Sequence, residues 1–243
     1  MISYTDRRPD ISIVMPCLDE RSTVGLCIED AKKYIKGRGL QGEIIVVDNG
    51  STDGSADEAK KHGAKVLRVP RKGYGRALRA GISRAEGDVI VFADCDTTYD
   101  LLDLDKFYYP LKAGKYDIII GDRLSGGIEK GAMPLLHIPG VKFLSLCGRK
   151  AFCTDVRDFH CGLRSITRKA ARKMRLRAKG MEFATEFIAE AAEKGLRIGQ
   201  CPITLRRCTK KRRSKLRTFR DGMRHLWFII SRYMLIRIIS KHH

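Results

Sequence analysis

Two carboxylates one residue apart, Asp94 and Asp96 in the triplet Asp94-Cys95-Asp96, stand directly after an apolar run, Val89-Ile90-Val91-Phe92-Ala93. Such a pair on a chain leaving a buried strand can hold a hard divalent cation through oxygen and leave positions open for phosphate oxygens. Mg2+ or Mn2+ suits that chemistry. An Asp-capped turn is the plain alternative. A second polar loop, Asp48-Asn49-Gly50-Ser51-Thr52-Asp53-Gly54-Ser55, follows the run Glu43 to Val47. It fits an ordinary strand-to-helix turn with Asp53 or Ser55 as N-cap, and it also places Asp48 where a carboxylate accepts from a nucleobase or ribose. The two roles are compatible.

Three further loops carry candidates. Pro16-Cys17-Leu18-Asp19-Glu20, Gly73-Tyr74-Gly75 and Gly121-Asp122-Arg123 each close an apolar run. The second is not a dinucleotide fingerprint: its sixth position is Leu78 where Gly is required, and it follows the third run rather than the first. Arg123 has two readings, an ion pair with Asp122 or a phosphate clamp, for which a guanidinium fork is suited. His137 and His160 are either bases or structural hydrogen-bonders. Asp158 and Glu182 begin segments placed to orient an acceptor.

These loops need a scaffold that brings them together. Five buried-strand runs begin at Ile11, Glu43, Lys65, Asp88 and Asp117, and helical spacing occupies Ser22–Tyr34, Ser55–His62, Gly75–Arg84 and Leu104–Ala113. Strand and helix alternating over short connections predict an α/β fold, a mostly parallel sheet flanked by helices. In such sheets ligands bind at the carboxyl ends of the strands, which is where all five loops fall. Beyond residue 125 the alternation stops. Met133–Cys153 and Glu182–Lys194 read as helices, Arg197–Ile203 as a strand, and an apolar helix closes the chain.

With 43% hydrophobic and 31% charged residues, 243 residues exclude a disordered, collagen-like or disulfide-scaffold chain. Eight cysteines without a CxxC pair or a signal-peptide pattern imply a reducing cytosol and no zinc site. The net charge is +20, concentrated in two acid-free stretches: eight basic residues in Arg164–Lys179 and nine in Arg206–Arg220. Such a chain wants a polyanion: nucleic acid, an anionic membrane or a phosphorylated substrate. Single-strand nucleic-acid binding would need aromatics among the basic residues, and the two stretches hold only Phe219, so no specific nucleic-acid partner is expected. The longest apolar segment, Leu226–Ile239, is interrupted by Ser231, Arg232 and Arg237 and is too short to span a bilayer. Behind a basic stretch, it can lie on an anionic leaflet, pack on the core or contact a second copy.

One ordered set of motifs then carries a resemblance: Ile13-Val14-Met15-Pro16 with Glu20, Asp48–Ser55, Asp94-Cys95-Asp96, Gly121-Asp122-Arg123, Asp158–Arg164, Met181–Glu186, Cys201-Pro202-Ile203 and Ser214-Lys215-Leu216. Over about residues 9 to 230 the chain resembles the family 2 glycosyltransferases of GT-A fold, in the branch of dolichol- and polyprenyl-phosphate sugar synthases. The resemblance implies inverting transfer of a sugar from a UDP- or GDP-linked donor to a polyprenyl phosphate, with Mg2+ or Mn2+. Pro16, Glu20 and Asp48 match base and ribose positions, and Asp94 and Asp96 match metal and diphosphate positions. Arg123, Arg213 and Lys215 match phosphate-engaging positions. Asp96, Arg123 and Asp158 are then the catalytic candidates, with Glu182 and Glu186 on the acceptor side. Thr98 stands where relatives of the dolichol-phosphate mannose type can use a Gln as a further metal ligand.

A lipid phosphate is already an anion and attacks without a base; a glycolipid, a small phosphorylated molecule or a glycan hydroxyl is the alternative acceptor, and a hydroxyl needs a base. Residues 1–216 are expected to form the catalytic domain and 217–241 a C-terminal helix at the membrane surface. The protein would be peripheral on the cytoplasmic face, with no transmembrane helix.

Overall fold

The computed structural model describes residues 8–135, 137–209 and 218–240. The apolar runs form strands: β1 (Ile11–Cys17), β2 (Gly42–Asp48), β3 (Lys65–Arg68), β4 (Val89–Phe92) and β5 (Ile118–Asp122). Between them lie α1 (Arg21–Gly37), α2 (Ser55–Lys61), α3 (Tyr74–Arg84) and α4 (Asp105–Lys112), followed by the short α5 (Arg123–Gly126). The remainder comprises α6 (His137–Phe152), β6 (Arg164–Thr167), α7 (Arg168–Ala171), α8 (Phe183–Glu193), β7 (Ile198–Pro202) and α9 (Thr218–Ser240). The seven strands form one sheet in the order β3-β2-β1-β4-β6-β5-β7. All pairings are parallel except those of β6, which runs antiparallel to both β4 and β5. The expected α/β architecture is the observed one.

Two details differ from the pattern reading. β6 lies inside the first basic stretch, where Arg164 disguises a strand. It is a strand because Ser165 and Ile166 are buried between neighbours, and the Ser165 hydroxyl donates to the Phe107 carbonyl at 2.8 Å. α6 begins at His137, later than the expected Met133, and carries Pro139 in its first turn, where the missing N–H costs nothing.

The core runs along the sheet's centre. Ile13, Val14, Val46, Val47 and Val91 are fully buried, each contributing about 1.5–3 kcal/mol. Phe92 meets Phe187 of α8 edge-on at 5.5 Å between centroids, and α3 packs on β1 and β2. α4 covers the opposite face beside α1, joined to it by a bidentate Arg38–Asp105 pair. α9 packs against α6 and α8. Its inward positions include Asp221, His225 and Ile229, and Arg232 pairs with Glu190 and Glu193. Its outward positions Met223, Trp227, Ile230, Met234 and Ile238 form an exposed apolar stripe at helical spacing.

Candidate active site

A cleft of about 450 Å3 opens at the carboxyl edge of β1, β2 and β4. Its carboxylates are Glu20, Asp94, Asp96 and Asp221; its cations are Lys72, Arg220 and Arg224. Pro16, Cys17 and Asn49 form part of its wall. The structure therefore brings together Pro16, Glu20, Asp94 and Asp96, four of the residues singled out from sequence. Asp48 is not on the cleft surface. It ends β2, and its Oδ1 accepts the Ser51 N–H at 3.1 Å, as an Asx turn does. Its neighbour Asn49 lines the cleft instead. The Asn49 amide donates to the Val69 and Arg71 carbonyls, both at 3.0 Å, and its Oδ1 accepts from Gly73 N at 2.6 Å. One side chain thus sets the loop that carries Lys72 and Tyr74.

Gly73 and Gly75 have a different purpose from phosphate binding. The segment 178–180 crosses them closely, with Gly75 N donating to Gly180 O at 3.2 Å. A Cβ on Gly73 would come within 2.2 Å of the Lys179 carbonyl, and its φ of +155° suits only glycine. This contact delivers Gly180 and Met181 to the cleft wall.

Asp94 and Asp96 are oriented by hydroxyls. Tyr74 donates to Asp94 Oδ1 at 3.2 Å. The Thr98 hydroxyl and N–H both donate to Asp96 Oδ1. Thr98 is thereby turned onto Asp96, a positioning contact rather than an extra oxygen ligand. Between them Thr97 is held at φ +65°, a strained conformation for a β-branched residue. Its hydroxyl lies 3.0 Å from that of Thr209 and accepts the Thr209 N–H, and Arg206 N donates to Thr98 O. The turn is therefore stitched to the segment that leads into the second basic stretch. Arg213 and Lys215 fall outside the described residues.

The donor set fits a hard divalent cation. Asp94 and Asp96 face one cleft, and no cluster of three or more His, Cys, Asp or Glu side chains forms a ready-made metal cage among the described residues. Such a pair needs phosphate and water oxygens to complete a shell, as Mg2+ and Mn2+ accept.

Next to the cleft lies a more enclosed, largely apolar pocket of about 210 Å3, walled by α6, α8 and α9. The two cavities share Tyr74, Asp94, Met181 and Asp221. Arg123 borders this pocket but is not an open clamp, and its partner is not Asp122. Its Nε and Nη2 donate to Asp158 at 2.6 and 2.8 Å, and its backbone N–H to the same carboxylate at 3.2 Å. Asp122 instead caps α5, accepting from Leu124 N and Ser125 N. Asp158 is 0% exposed and also accepts from His160 N at 3.1 Å. It has no oxygen to offer an acceptor, so the expected orienting role is corrected to a structural one.

Glu182 and Glu186 are likewise turned towards backbone N–H groups, Glu182 through one oxygen only. Glu186 takes the N–H groups of Arg177 and Ala178, both at 2.8 Å, and burial raises its pKa. Burial would raise Glu182 too, but N–H donors from Lys179 and Gly180 outweigh it and hold the carboxylate below its usual range. Both glutamates, at the start of α8, tether the 177–180 loop; neither borders either cavity. Sequence reasoning missed Lys72, Asn49, Tyr74, Asp221, Arg220 and Arg224. The Gly73–Gly75 loop signalled Lys72 and Tyr74, and the Asp48–Ser55 loop signalled Asn49; nothing local marked the last three, which reach the cleft only because α9 folds back.

A carboxylate-and-cation cleft at the carboxyl edge of a sheet ordered 3-2-1-4-6-5-7 defines the GT-A class of nucleotide-sugar enzymes, and solved structures share the fold. Glucosyl-3-phosphoglycerate synthase from Mycobacterium tuberculosis superimposes with a TM-score of 0.74 at 23% identity, covering 92% of this chain and 80% of that one. The same enzyme solved with Mn2+, UDP and glucosyl-3-phosphoglycerate gives 0.72 at 24%. The profile of glycosyl transferase family 2 matches residues 12–175, and the chain belongs to that family. It is 37% identical over 227 residues to the low-salt glycan biosynthesis hexosyltransferase Agl6 of Haloferax volcanii, matching 93% of this chain but 54% of that protein. It is 31% identical over 198 residues to the dolichyl-phosphate hexose transferase of the same organism, 81% of this chain and 83% of that one.

Proposed function

We propose that the chain transfers a hexose, with inversion, from a nucleotide diphosphate sugar to a polyprenyl phosphate, in a reaction that needs Mg2+ or Mn2+. The observation that carries this reading is the state of the acceptor-side carboxylates. Asp158 and Glu186 are committed to internal hydrogen bonds and Glu182 lies off the second pocket, so none of these three stands beside it as a base. An acceptor that arrives already ionised needs none, and a phosphate monoester is ionised at neutral pH. The dolichyl-phosphate hexose transferase relative supports the same acceptor class.

On the donor side, Asn49 and Glu20 border the space for the nucleoside. Lys72, Arg220 and Arg224 border the space for the diphosphate, where positive charge stabilises the leaving group as its bond to the anomeric carbon breaks. Arg213 and Lys215 would join them. Asp94 and Asp96 would hold the metal, which when bound supplies Lewis-acid stabilisation of the departing diphosphate. Asp94, on the wall between the two cavities, marks where donor sugar and acceptor meet.

Membrane contact belongs to the same proposal. The outward stripe of α9 is exposed, Trp227 to 69%, and α6, on which α9 packs, exposes Phe143 and Leu146. An apolar surface next to a polybasic stretch suits an anionic leaflet. Among the described residues no helix is long and apolar enough to cross a membrane. A second reading, transfer to a small phosphorylated molecule, follows from the phosphoglycerate acceptor named for the structural neighbour. Labelled UDP- and GDP-sugars, each offered with polyprenyl phosphate or 3-phosphoglycerate, separate the two. Chelator-sensitive label in the lipid phase is expected; label only in phosphoglycerate would establish the second reading instead.

A further inference from the structure

His160 faces the enclosed pocket, and both of its ring nitrogens are buried with no hydrogen-bond partner among the described residues. Buried polar atoms are seldom left unsatisfied, and a group so placed at a cavity wall is suited to a ligand. The ring is fixed all the same. It packs edge-on against His225, 4.4 Å between centroids at 86°, and His225 Nδ1 lies 2.7 Å from the Thr185 hydroxyl. The backbone of His160 is fixed from below, its N–H bonded to Asp158, so the Arg123–Asp158 pair serves to aim this imidazole. Burial lowers the basicity of both rings, His225 to about 4 and His160 well below the usual histidine value. At neutral pH each is an uncharged ring with one N–H to donate and makes a poor proton acceptor.

The rest of the wall sorts by chemistry. Arg164 is buried, stacks over the Phe187 ring at 5.5 Å and donates to the Cys161, Ala184 and Phe159 carbonyls. No carboxylate pairs with it among the described residues, so its charge lies uncompensated beside the pocket, whereas that of Arg123 is neutralised by Asp158. Met133, Val141 and Leu144 give the side towards α6 a hydrocarbon surface. Asp94 and Asp221 stand on the wall shared with the donor cleft. A neutral N–H donor, a buried positive charge and a hydrocarbon wall in one pocket match an anionic head joined to an apolar chain.

We propose that this pocket is the acceptor site, that His160 donates a ring N–H to a phosphate oxygen of the acceptor, and that the α6 wall takes the first carbons of its chain. His160 is thus a binding residue for acceptor, held in place by His225. The assignment rests on the polyprenyl-phosphate reading above.

The test uses the full chain, farnesyl phosphate as probe and two variants. His160→Leu removes the N–H at similar volume. Gly140→Leu fills the pocket mouth from α6, where an added Cβ meets nothing within 4 Å. Nucleotide binding, measured by calorimetry, reports an intact donor cleft in each. The expected result is a rise in acceptor KM of roughly tenfold for His160→Leu, as loss of one charge-assisted hydrogen bond gives, and a rise for Gly140→Leu through the blocked pocket mouth. Donor KM should stay within about twofold, and His160→Gln, which keeps a donor, should recover most of the loss. An unchanged acceptor KM in His160→Leu with normal nucleotide binding would overturn the site while leaving the function standing. Failure of the wild-type chain to bind or glycosylate farnesyl phosphate, with nucleotide binding preserved, would overturn both the site and the lipid-phosphate reading.

Discussion

On the donor side of the sheet edge, Asp94 and Asp96 are oriented by neighbouring Tyr74 and Thr98 and line an open cleft with three cations. Off both cavities, Asp158 is closed off by the side chain and backbone of Arg123 and the backbone of His160, and Glu186 and one oxygen of Glu182 hold one loop. The same residue types serve as substrate-facing groups in one region and as internal struts in the other. What separates them is where they stand: Asp94 and Asp96 line the cleft, whereas Asp158, Glu182 and Glu186 lie off both cavities. The pocket beside the cleft is lined by two imidazoles, hydrocarbon, the Arg164 guanidinium and, on the shared wall, Asp94 and Asp221.

The largest effect that would break this contrast is at Asp158. Asp158→Ala leaves the Arg123 guanidinium buried without its partner, and stability should fall by about 3–5 kcal/mol in urea unfolding. The double variant Arg123→Met/Asp158→Ala should lose far less than the sum of the two single changes. Additive losses would mean that the pair is not a unit.

Asp96→Ala should behave the other way, keeping its melting temperature while turnover falls by about 10²–10³-fold. A stable variant with wild-type turnover would remove Asp96 from the chemistry.

Acid should act on the acceptor side through the imidazoles. His225 titrates at about 4 when folded, below the unfolded value of about 6.5, so the unfolded chain takes up the proton first. Its contribution is fully present above pH 6.5 and is lost as pH falls towards 4, by about 3 kcal/mol. Urea titrations of wild type and His225→Asn should differ in this slope; parallel curves would contradict it.

The smallest change is expected for Glu186→Gln. Burial already favours its protonated form, so a neutral amide loses only part of the loop tether, about 1 kcal/mol.

The fold was legible because β1, β2, β4 and β5 are apolar runs ending in polar loops, a local signal. The cleft residues Pro16, Glu20, Asp94 and Asp96 were legible for the same reason, each lying within a few residues of a strand end. β6 was hidden because its buried Arg164 reads as one more surface charge. The partners of Arg123, Glu182 and Glu186 were not legible. Whether a carboxylate faces substrate or a backbone N–H depends on contacts such as Arg123–Asp158, 35 positions apart, which no spacing rule encodes. The half of the cleft supplied by Asp221, Arg220 and Arg224 depends on α9 returning over the sheet edge, a tertiary event with no local mark.

The proposal to test is that the acceptor brings its own negative charge, none of Asp158, Glu182 and Glu186 being placed to serve it as a base. Its most direct measurement is the linkage in the product, by phosphorus and proton NMR of lipid glycosylated by the wild-type chain with Mg2+ or Mn2+. A glycosyl phosphodiester with the anomeric configuration inverted relative to the donor is the expected result. A sugar joined through a hydroxyl oxygen, or one that keeps the donor's configuration, would contradict it.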